Sequence, residues 1–340
     1  MKPGLKQISE LTGYSLATIS NALSGNRSVS PEATARILRV AKETGYYTLR
    51  RIHRIKLVSM RVSGRIFDAT PFFTPLMGGV SDGCNEIGMD LQYLALEADS
   101  EGFSQQLQKL ENDIGSAIIL LGTEMSGLEY HHFDSCSLPL VTLDYWCPNQ
   151  RYSGIEINNY DAGYRAASYL IDKGHRLIGY LRGEWRIRAF HDRGRGYRAC
   201  MHDHELTIPE AFTVTLGVAM DRAYMDMKSY LQTLPQLPTA FFADDDIIAL
   251  GAIKALQEAG IRVPEDVSVI GFDDLPYCDI SSPSLTSMHV PAFEMGRMAV
   301  MRMKELLEHN AGVISRTQIC ATVTERDSVR DLTGKNQTSI

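Results

Sequence analysis

Apolar runs alternate with helix-like stretches along most of the chain, and this alternation constrains the fold more than any other feature. The runs have the length of buried strands, and the stretches between them have the length of ordinary helices. Two series are present: residues 57–62, 91–96, 117–121 and 140–143, then residues 177–181, 212–216, 240–243 and 267–272. Apolar strands joined by helices form parallel sheets covered on both faces. The sequence therefore predicts an α/β fold with two doubly wound lobes.

The start of the chain differs from the rest and predicts a small all-α head of three short helices. Gly13 ends the first helix, because glycine readily adopts the left-handed conformation that follows a helix. Ser15 is suited to cap the second helix, and Ser30 followed by Pro31 is suited to begin the third. Two helices joined by a short turn containing glycine form a helix-turn-helix, whose second helix enters the major groove of DNA. A three-helix bundle without a partner is the alternative.

Residue spacing assigns the faces of the first two helices. Leu5, Ile8 and Leu11 recur every three residues, and Ile19 and Leu23 form the inward face of the second helix. Small hydroxyl, amide and apolar side chains point outward on the second helix, which suits contacts with phosphates, adenine and thymine methyl groups. These outward residues are Leu16, Ala17, Thr18, Ser20 and Asn21.

Charge separates the head from the rest of the chain. Up to Lys56 there are ten basic residues and three acidic ones, a net charge of +7, whereas the whole chain carries −7. A basic module joined to an acidic domain is the pattern expected of a protein that binds nucleic acid. A solvated basic face is the alternative, which the clustering at one end disfavours.

The head resembles that of the LacI/GalR family, the bacterial repressors named for the lactose and galactose repressors, and the resemblance extends over nearly the whole chain. The family pattern is matched by Ser15, Thr18, Ile19, Ser20, Val29 and Ser30. The resemblance implies that Leu16, Ala17 and Asn21 read bases and that Ser15, Thr18 and Ser20 hold phosphates. The other predicted DNA-binding residues are Leu5, Ser28, Arg50 and Ile52.

Residues 47–56 form the predicted linker, and here the chain departs from the family. The family usually has an Asn-containing segment that folds into a hinge helix on DNA and places a leucine in the minor groove. Here the segment is several residues shorter and has no Pro-Asn pair. Ile52 is predicted to substitute as the apolar wedge, with Arg50, Arg51 and Arg54 along the groove or the phosphates. A basic tether that never becomes helical is equally compatible, because nucleating so short a helix is costly.

Polar and aromatic residues follow the predicted strands, where doubly wound folds bind their ligands in a cleft. Aromatic rings stack on the face of a sugar, while Asp and Arg bond its hydroxyl groups. The resemblance implies that Asp144, Arg193 of the Arg-x-x-Gly-aromatic motif and Asp273 of the Gly-aromatic-Asp motif bind an effector. For Asp246 and Asp274 a helix N-cap or a surface turn is favoured. The predicted effector-binding residues are Phe72, Phe73, Asp144, Trp146, Asn158, Trp185, Arg193, Asp245 and Asp273.

The predicted organisation is a DNA-binding head at 1–46, a linker at 47–56 and an effector-binding and dimerisation domain at 57–340. Lobe 1 would take about 57–156 and 286–316, and lobe 2 about 157–285 and 317–330. The predicted partners are a pseudopalindromic double-stranded operator, a small effector that is a sugar, and a second copy of the chain in a homodimer. The effector would bind between the lobes and change the affinity of the heads for DNA.

No sequence feature predicts an enzyme, a cofactor or a metal site. The six cysteines are scattered without a Cys-x-x-Cys pair. A dinucleotide-like G-x-G-x-x-A match at 194–199 follows a charged stretch rather than a strand. The absence of a signal pattern and of a long apolar run predicts a cytoplasmic protein without membrane contact. The main alternative is a cytoplasmic sugar-binding module whose DNA reading is weakened by the short linker; a periplasmic-type sugar receptor and a sugar-modifying enzyme are less favoured.

Overall fold

The chain packs into two units, which we describe from a computed structural model. The described residues are 4–24, 29–44, 46, 52–113, 115–134, 136, 138–233, 236–309 and 313–334, without the side chains of Ser24, Lys42 and His309. Unit 1 comprises Met1–Ser63, Pro75–Glu156 and Ala292–Thr317, and unit 2 comprises Gly64–Thr74, Ile157–Pro291 and Gln318–Ile340. Three residues predicted to contact DNA, Ser28, Arg50 and Arg51, lie outside the described residues.

Three helices form the head: α1 (Leu5–Thr12), α2 (Leu16–Ser24) and α3 (Pro31–Glu43). The predicted helix ends are confirmed. Gly13 is left-handed with a φ of 77°, and its N–H donates to the Ser9 carbonyl at 2.8 Å. Ser30 caps α3, where its Oγ accepts from the Ala33 N–H at 3.3 Å.

The buried face of α1 differs from the predicted one. Ile8 is buried and Leu5 partly buried, but Leu11 is 56% exposed and Thr12 is buried in its place. Successive helical residues rotate by about 100°, so steps of three drift around the helix, whereas a step of four from Ile8 returns to the same face. The Thr12 hydroxyl is satisfied there, because it donates to the Ile8 carbonyl at 2.7 Å.

The first predicted strand series forms one sheet, with two strands added that were not predicted. The strands are β1 (Arg54–Arg61), β2 (Asp90–Glu97), β3 (Ser116–Leu121), β4 (Leu140–Leu143), β5 (Ser153–Ile157) and β11 (Arg316–Ile319), in the order β11-β5-β4-β3-β1-β2. Four of their pairings, β1–β2, β1–β3, β3–β4 and β4–β5, are parallel, as predicted. The helices between these strands are α4 (Arg65–Ala69), α5 (Phe73–Glu86), α6 (Phe103–Glu111) and α7 (Gly127–Tyr130).

The second series forms the other sheet. Its strands are β6 (Ile178–Gly183), β7 (Thr213–Leu216), β8 (Ala240–Ala243), β9 (Ser268–Asp273), β10 (Thr286–His289) and β12 (Thr322–Thr324), in the order β12-β10-β9-β8-β6-β7. Only the β10–β12 pairing is antiparallel among the described strand pairs of this sheet. The remaining helices are α8 (Asn159–Asp172), α9 (Arg188–Asp203), α10 (Met220–Leu231), α11 (Asp246–Glu258), α12 (Tyr277–Ile280) and α13 (Ala292–His309).

The crossings between the units differ slightly from the predicted lobe boundaries. The chain returns to unit 1 at Ala292 rather than at 286, because β10 pairs in parallel with β9 and so belongs to the second sheet. The segment Gly64–Thr74 packs with unit 2, although it follows a strand of the first sheet. In the described part of the chain, no helix has the length and apolar character needed to cross a membrane.

Two glycines let α8 and α9 lie close together. A Cβ on Gly163 would come within 2.1 Å of the Arg193 carbonyl oxygen, and one on Gly196 within 1.9 Å of the Tyr160 carbonyl oxygen. Any side chain at either position would push the helices apart. This close packing sets the position of Arg193, which carries much of the site described next.

Candidate functional site

Helix α2 presents the predicted DNA-reading residues on its exposed side. Ile19 and Leu23 are buried, as predicted. Ser15 caps the helix, since its Oγ accepts from the Thr18 N–H at 3.1 Å and lies 2.8 Å from Thr18 Oγ1. Side chains of the remaining face are exposed at Ser15, Leu16, Ala17 and Ser20 and partly exposed at Thr18 and Asn21.

Ile52 does not occupy the position that its predicted role needs. It is 2% exposed and lies two residues before the start of β1. The next residue, His53, is tied to the first sheet: its N–H donates to the Gly115 carbonyl at 3.1 Å, and its carbonyl accepts from the Asp90 N–H at 2.9 Å. An apolar wedge for the minor groove must be exposed. Ile52 would therefore have to leave this buried position to serve as the predicted wedge.

Arg193, near the start of α9, is the centre of a buried polar cluster in unit 2. Its side chain is 4% exposed. Nε donates to Asn159 Oδ1 at 2.8 Å, one Nη to the Asp244 carbonyl at 2.5 Å, and the other Nη to Asp273 Oδ1 at 3.2 Å. The guanidinium carbon lies 3.5 Å from the centroid of the Phe272 ring, a cation–π contact. The predicted pair Arg193 and Asp273 is thus in direct contact.

The end of β9 has an unusual backbone. Asp273 has a φ of 104° and Asp274 a φ of 59°, both in the region that favours glycine. Contacts of the Asp274 carboxylate hold this turn: Oδ1 pairs with Arg326 Nη1 at 2.7 Å, and Oδ2 lies 2.9 Å from His289 Nδ1. Such strained positions persist only where the surroundings impose them, and they concentrate at functional sites.

Three consecutive acids after β8 are buried, each with different partners. Asp244 accepts from the Tyr180 hydroxyl, from the Gly183 N–H at 2.8 Å and from the Arg186 guanidinium. Asp245 caps α11 by accepting from the Ile248 N–H at 2.7 Å.

Asp246, by contrast, is the first residue inside α11 and is 0% exposed. Its carboxylate accepts from the Leu275 N–H at 2.8 Å and the Ser287 hydroxyl at 2.6 Å. The expectation that Asp246 is an N-cap or a surface turn is wrong, because Asp245 takes the cap and the following side chain turns into the core.

Burial raises the pKa of all four carboxyl groups at these strand ends. Removal from water is the largest cause at each, since it disfavours the charged form. It brings the pKa of Asp273 to about 6 and, together with the nearby Asp273 charge, that of Asp246 to about 7. The pKa of Asp245 rises well above its ordinary value, again with Asp273 as the strongest neighbouring charge. The pKa of Asp244 is also raised, although Arg186 opposes the shift.

Asn158 is close to this cluster in sequence but has another role. Its Oδ1 accepts from the Asp161 N–H at 3.2 Å, which caps α8. The amide that meets Arg193 belongs to the next residue, Asn159. Asn159, Asp244 and Arg186 are not among the predicted effector-binding residues, although each adjoins one of them in the sequence.

The predicted aromatic residues of unit 2 fall into two groups. Trp185 is 38% exposed, and the Arg65 guanidinium lies over its ring at 4.2 Å. Phe72 and Phe73 are buried and pack edge to face at 5.5 Å, while Phe73 also contacts Phe67 at 4.5 Å. Trp185 is therefore partly accessible beside the Arg65 guanidinium, whereas most of the surface of the two phenylalanines is covered by protein.

Asp144 and Trp146 are in unit 1, after β4. Asp144 has a φ of 53° and accepts a hydrogen bond from the Thr123 hydroxyl at 2.6 Å. Trp146 is partly buried, and the Arg316 guanidinium lies 5.4 Å from its ring centroid. Across the described part of the chain, no group of three or more His, Cys, Asp or Glu side chains is arranged to hold a metal ion.

A helix-turn-helix head followed by two α/β units with polar groups at their strand ends defines a ligand-responsive transcriptional regulator. Residues 167–329 match the family described as a periplasmic binding protein-like domain. The chain is 30% identical over 328 residues to the ribose operon repressor of Escherichia coli K12, covering 95% of this chain and 99% of the relative. It is 29% identical over 334 residues to the HTH-type transcriptional repressor PurR of Haemophilus influenzae PittEE, covering 96% and 99%.

Solved structures show the same relationship. A complex of the transcriptional regulator CelR with cellobiose superposes with a TM-score of 0.73 at 25% identity, covering 96% of this chain and 99% of that one. The chain belongs to the LacI/GalR family of transcriptional regulators.

Proposed function

We propose that this protein is a repressor that binds a pseudopalindromic operator through α2 and responds to a small carbohydrate bound at the strand ends of unit 2. The cluster around Arg193 is the observation that carries the effector part. It gathers a guanidinium, an amide and several carboxyl groups at the end of a parallel sheet, where doubly wound folds bind ligands. Such groups bond the hydroxyls of a sugar, and the exposed ring of Trp185 is suited to stack on its face.

The relatives support a carbohydrate. One is named for the ribose operon, and CelR was solved with cellobiose. Asp144, Trp146, Phe72 and Phe73 remain proposed effector contacts, as do Asn158 and Asp245. The proposed DNA contacts are Leu5, Ser15, Leu16, Ala17, Thr18, Ser20 and Asn21, with Ser28 and Arg50.

The response to the effector requires that it binds two arrangements of the protein with different affinity. The operator would be pseudopalindromic, because a homodimer with two-fold symmetry presents two identical heads. The protein is proposed to act by binding rather than by chemical conversion of its ligand.

Selection of random duplex DNA by the purified full-length protein, with and without a pool of carbohydrates, tests the proposal. We expect enrichment of a pseudopalindrome, and we expect the pool to change that enrichment. Recovery of sequence-blind, salt-sensitive binding alone would count against operator reading.

A second candidate is a sugar-binding module with weakened DNA reading. The burial of Ile52 favours it, since the apolar wedge predicted for the short linker is not exposed. The same selection distinguishes the two, because this candidate binds carbohydrate without enriching any DNA sequence.

A further inference from the structure

We propose that α3 of the head docks on the α/β part of unit 1, which is the first sheet with its helices, and that this contact positions the head for DNA. The contact joins two surfaces of opposite charge. Its side chains are Arg36 and Arg39 on α3, and Glu111 and Asp134 on the α/β part. Only the consequence for DNA rests on the proposed function; the docking itself does not.

A groove of about 720 Å³ separates the two surfaces. The two arginines of α3 line it on one side, and Glu111, at the end of α6, and Asp134 line it on the other. Unlike charges that face each other across a groove attract, and the attraction is stronger where water is partly excluded. The charges therefore favour closure of the groove by direct ion pairs.

The wall formed by α6 is suited to receive a cation. Glu111 Oε1 is buried, and no described residue gives it a hydrogen bond. Burial raises the pKa of Glu111, and no neighbouring cation opposes this shift. Glu111 is also the last residue of α6, and the C-terminal end of a helix favours positive charge. A guanidinium that reaches this end would supply the missing donor.

The arginines of α3 are available for this contact. Both are exposed, and Arg39 lies only within 4.0 Å of Glu43 on the same helix. The side chains of that pair are 70% and 65% exposed, so the pairing contributes little. Docking through α3 also leaves α2 accessible, since Leu16 and Ser20 are exposed in the present arrangement.

The linker keeps α3 near α6, because both of its ends are fixed. Tyr46 is buried, and its N–H donates to the Ala41 carbonyl at 2.8 Å, so this residue belongs to the head. His53 is bonded to the first sheet through both of its backbone groups. The chain between these two residues spans at most roughly 25 Å. So short a tether gives an effective concentration of about millimolar, at which even a weak contact is populated.

The end of α6 is also tied to the start of β1, where the linker joins the sheet. Asp113, two residues after Glu111, pairs with Lys56 at 2.6 Å and accepts from the Ser116 hydroxyl at 3.0 Å. Lys56 is buried, so this pair is shielded from water. The docking wall and the attachment point of the linker therefore form one piece. A head docked there has a defined direction relative to the first sheet.

Tryptic cleavage of the linker in the DNA-free, full-length protein tests the docking. The linker contains Arg50 and Arg51. Cleavage follows the fraction of molecules with an undocked head, provided that docking is fast relative to cleavage. We expect Glu111→Gln, which keeps the shape and removes the charge, to accelerate this cleavage on the order of fivefold. Glu101→Gln, at an exposed acid just before α6, is the control and should leave the rate unchanged.

Exchange of the two charges distinguishes docking from a purely structural role of Glu111. Arg36→Glu and Glu111→Arg should each accelerate cleavage, and the double variant should return the rate toward that of the native protein. Unchanged cleavage in Glu111→Gln overturns the docking, and so does the absence of rescue in the double variant.

DNA affinity tests the consequence of docking. Glu111→Gln should bind the duplex enriched by the native protein on the order of fivefold more weakly, because an undocked head has to be ordered on binding. Glu111 lies outside the head, so this variant removes no proposed DNA contact. Faster cleavage with unchanged affinity overturns the positioning role. The cleavage measurement uses no DNA, so it decides the docking even if no duplex is enriched and the proposed function fails.

Discussion

Arg193 of α9 donates to Asp273 at the end of β9 over 3.2 Å, and both side chains are more than nine-tenths buried. The pair joins a helix to a strand 80 residues away in the chain. A buried ion pair contributes little net stability, but removal of one member leaves a charge that neither water nor protein compensates.

Replacement of Arg193 by methionine should therefore destabilise the protein strongly. We expect Arg193→Met to lower the free energy of unfolding by about 3–5 kcal/mol, measured by urea denaturation. Arg195→Met is the control on the same helix: Arg195 is exposed and lies 3.3 Å from Asp192, so the expected loss is below about 1 kcal/mol. Similar losses of unfolding free energy in the two variants would contradict the explanation that Arg193→Met leaves an uncompensated charge at Asp273.

Asp246 should make stability fall as the pH rises. Its pKa is about 7 in the folded protein against an ordinary value of 3.8, so between these values the folded state keeps a proton that the unfolded chain releases. The stabilising contribution is complete below about pH 4 and is lost as the pH rises through 7. Asp246→Asn does not titrate. The stability of the native protein relative to this variant should therefore decrease over that interval, by at most about 1.4 kcal/mol per pH unit.

Asp266 provides the opposite case for the same measurement. Its pairing with Arg262 lowers its pKa to about 2, so its contribution is present above the ordinary pKa and is lost only as the pH falls toward 2. The difference between the native protein and Asp266→Asn should stay constant between pH 5 and 7. If the difference in stability between the native protein and Asp246→Asn also stayed constant between pH 5 and 7, the proposed titration of Asp246 would be refuted.

Asn21 should affect the sequence preference of DNA binding. It is partly exposed on α2, and an Asn side chain pairs with adenine through two hydrogen bonds that are worth about 1–3 kcal/mol of discrimination. Selection of random duplexes with Asn21→Ala should show relaxed preference at one base position in each half-site. Gln7→Ala removes an exposed amide from α1 and serves as the control. Any loss of DNA affinity in this variant should be equal for all sequences. Unchanged preference in Asn21→Ala would argue against α2 as the reading helix.

Gly271 should not tolerate a larger residue. A Cβ there would lie 2.0 Å from Asp246 Oδ1 and 3.0 Å from a methyl group of Leu285. We expect Gly271→Ala to reduce stability by about 1–3 kcal/mol in urea denaturation, because a rigidly held carboxylate has to move. In Gly102→Ala the nearest atom is 3.6 Å away, so its effect should stay within about 0.5 kcal/mol. Equal tolerance of both changes would mean that Asp246 is free to shift.

The fold was largely predictable because the central strands are apolar over their whole length. Residues 140–143 and 240–243 coincide with β4 and β8. Strand β5 was missed because it contains Gly154 and Glu156 rather than an apolar run. Glu156 is buried and forms an ion pair with Arg316 of β11, 160 residues later. A local pattern cannot reveal a partner at that distance.

The site was predictable only where a motif marked it. Arg193 and Asp273 were recognised from their motifs, and the structure brings them into contact. Which of the two adjacent asparagines bonds Arg193, however, depends on where α8 begins. Asn158 caps the helix, and Asn159 accepts from Arg193. Asp244 was not placed in the predicted site because its partners come from β6 and the loop that follows it.

The interleaving of the two units has a consequence for the nascent chain. Helix α13, which packs against β3 and β4, belongs to the last stretch of unit 1, Ala292–Thr317. The ribosome makes Ile157–Pro291, most of unit 2, before it makes α13. At about 5–20 residues per second, β3 and β4 therefore stay without the cover of α13 for on the order of ten seconds. Unit 2, which then lacks only the edge strand β12 of its sheet, can begin to fold first. Exposed apolar surface promotes aggregation, so this interval is the one in which the nascent chain is most exposed to it.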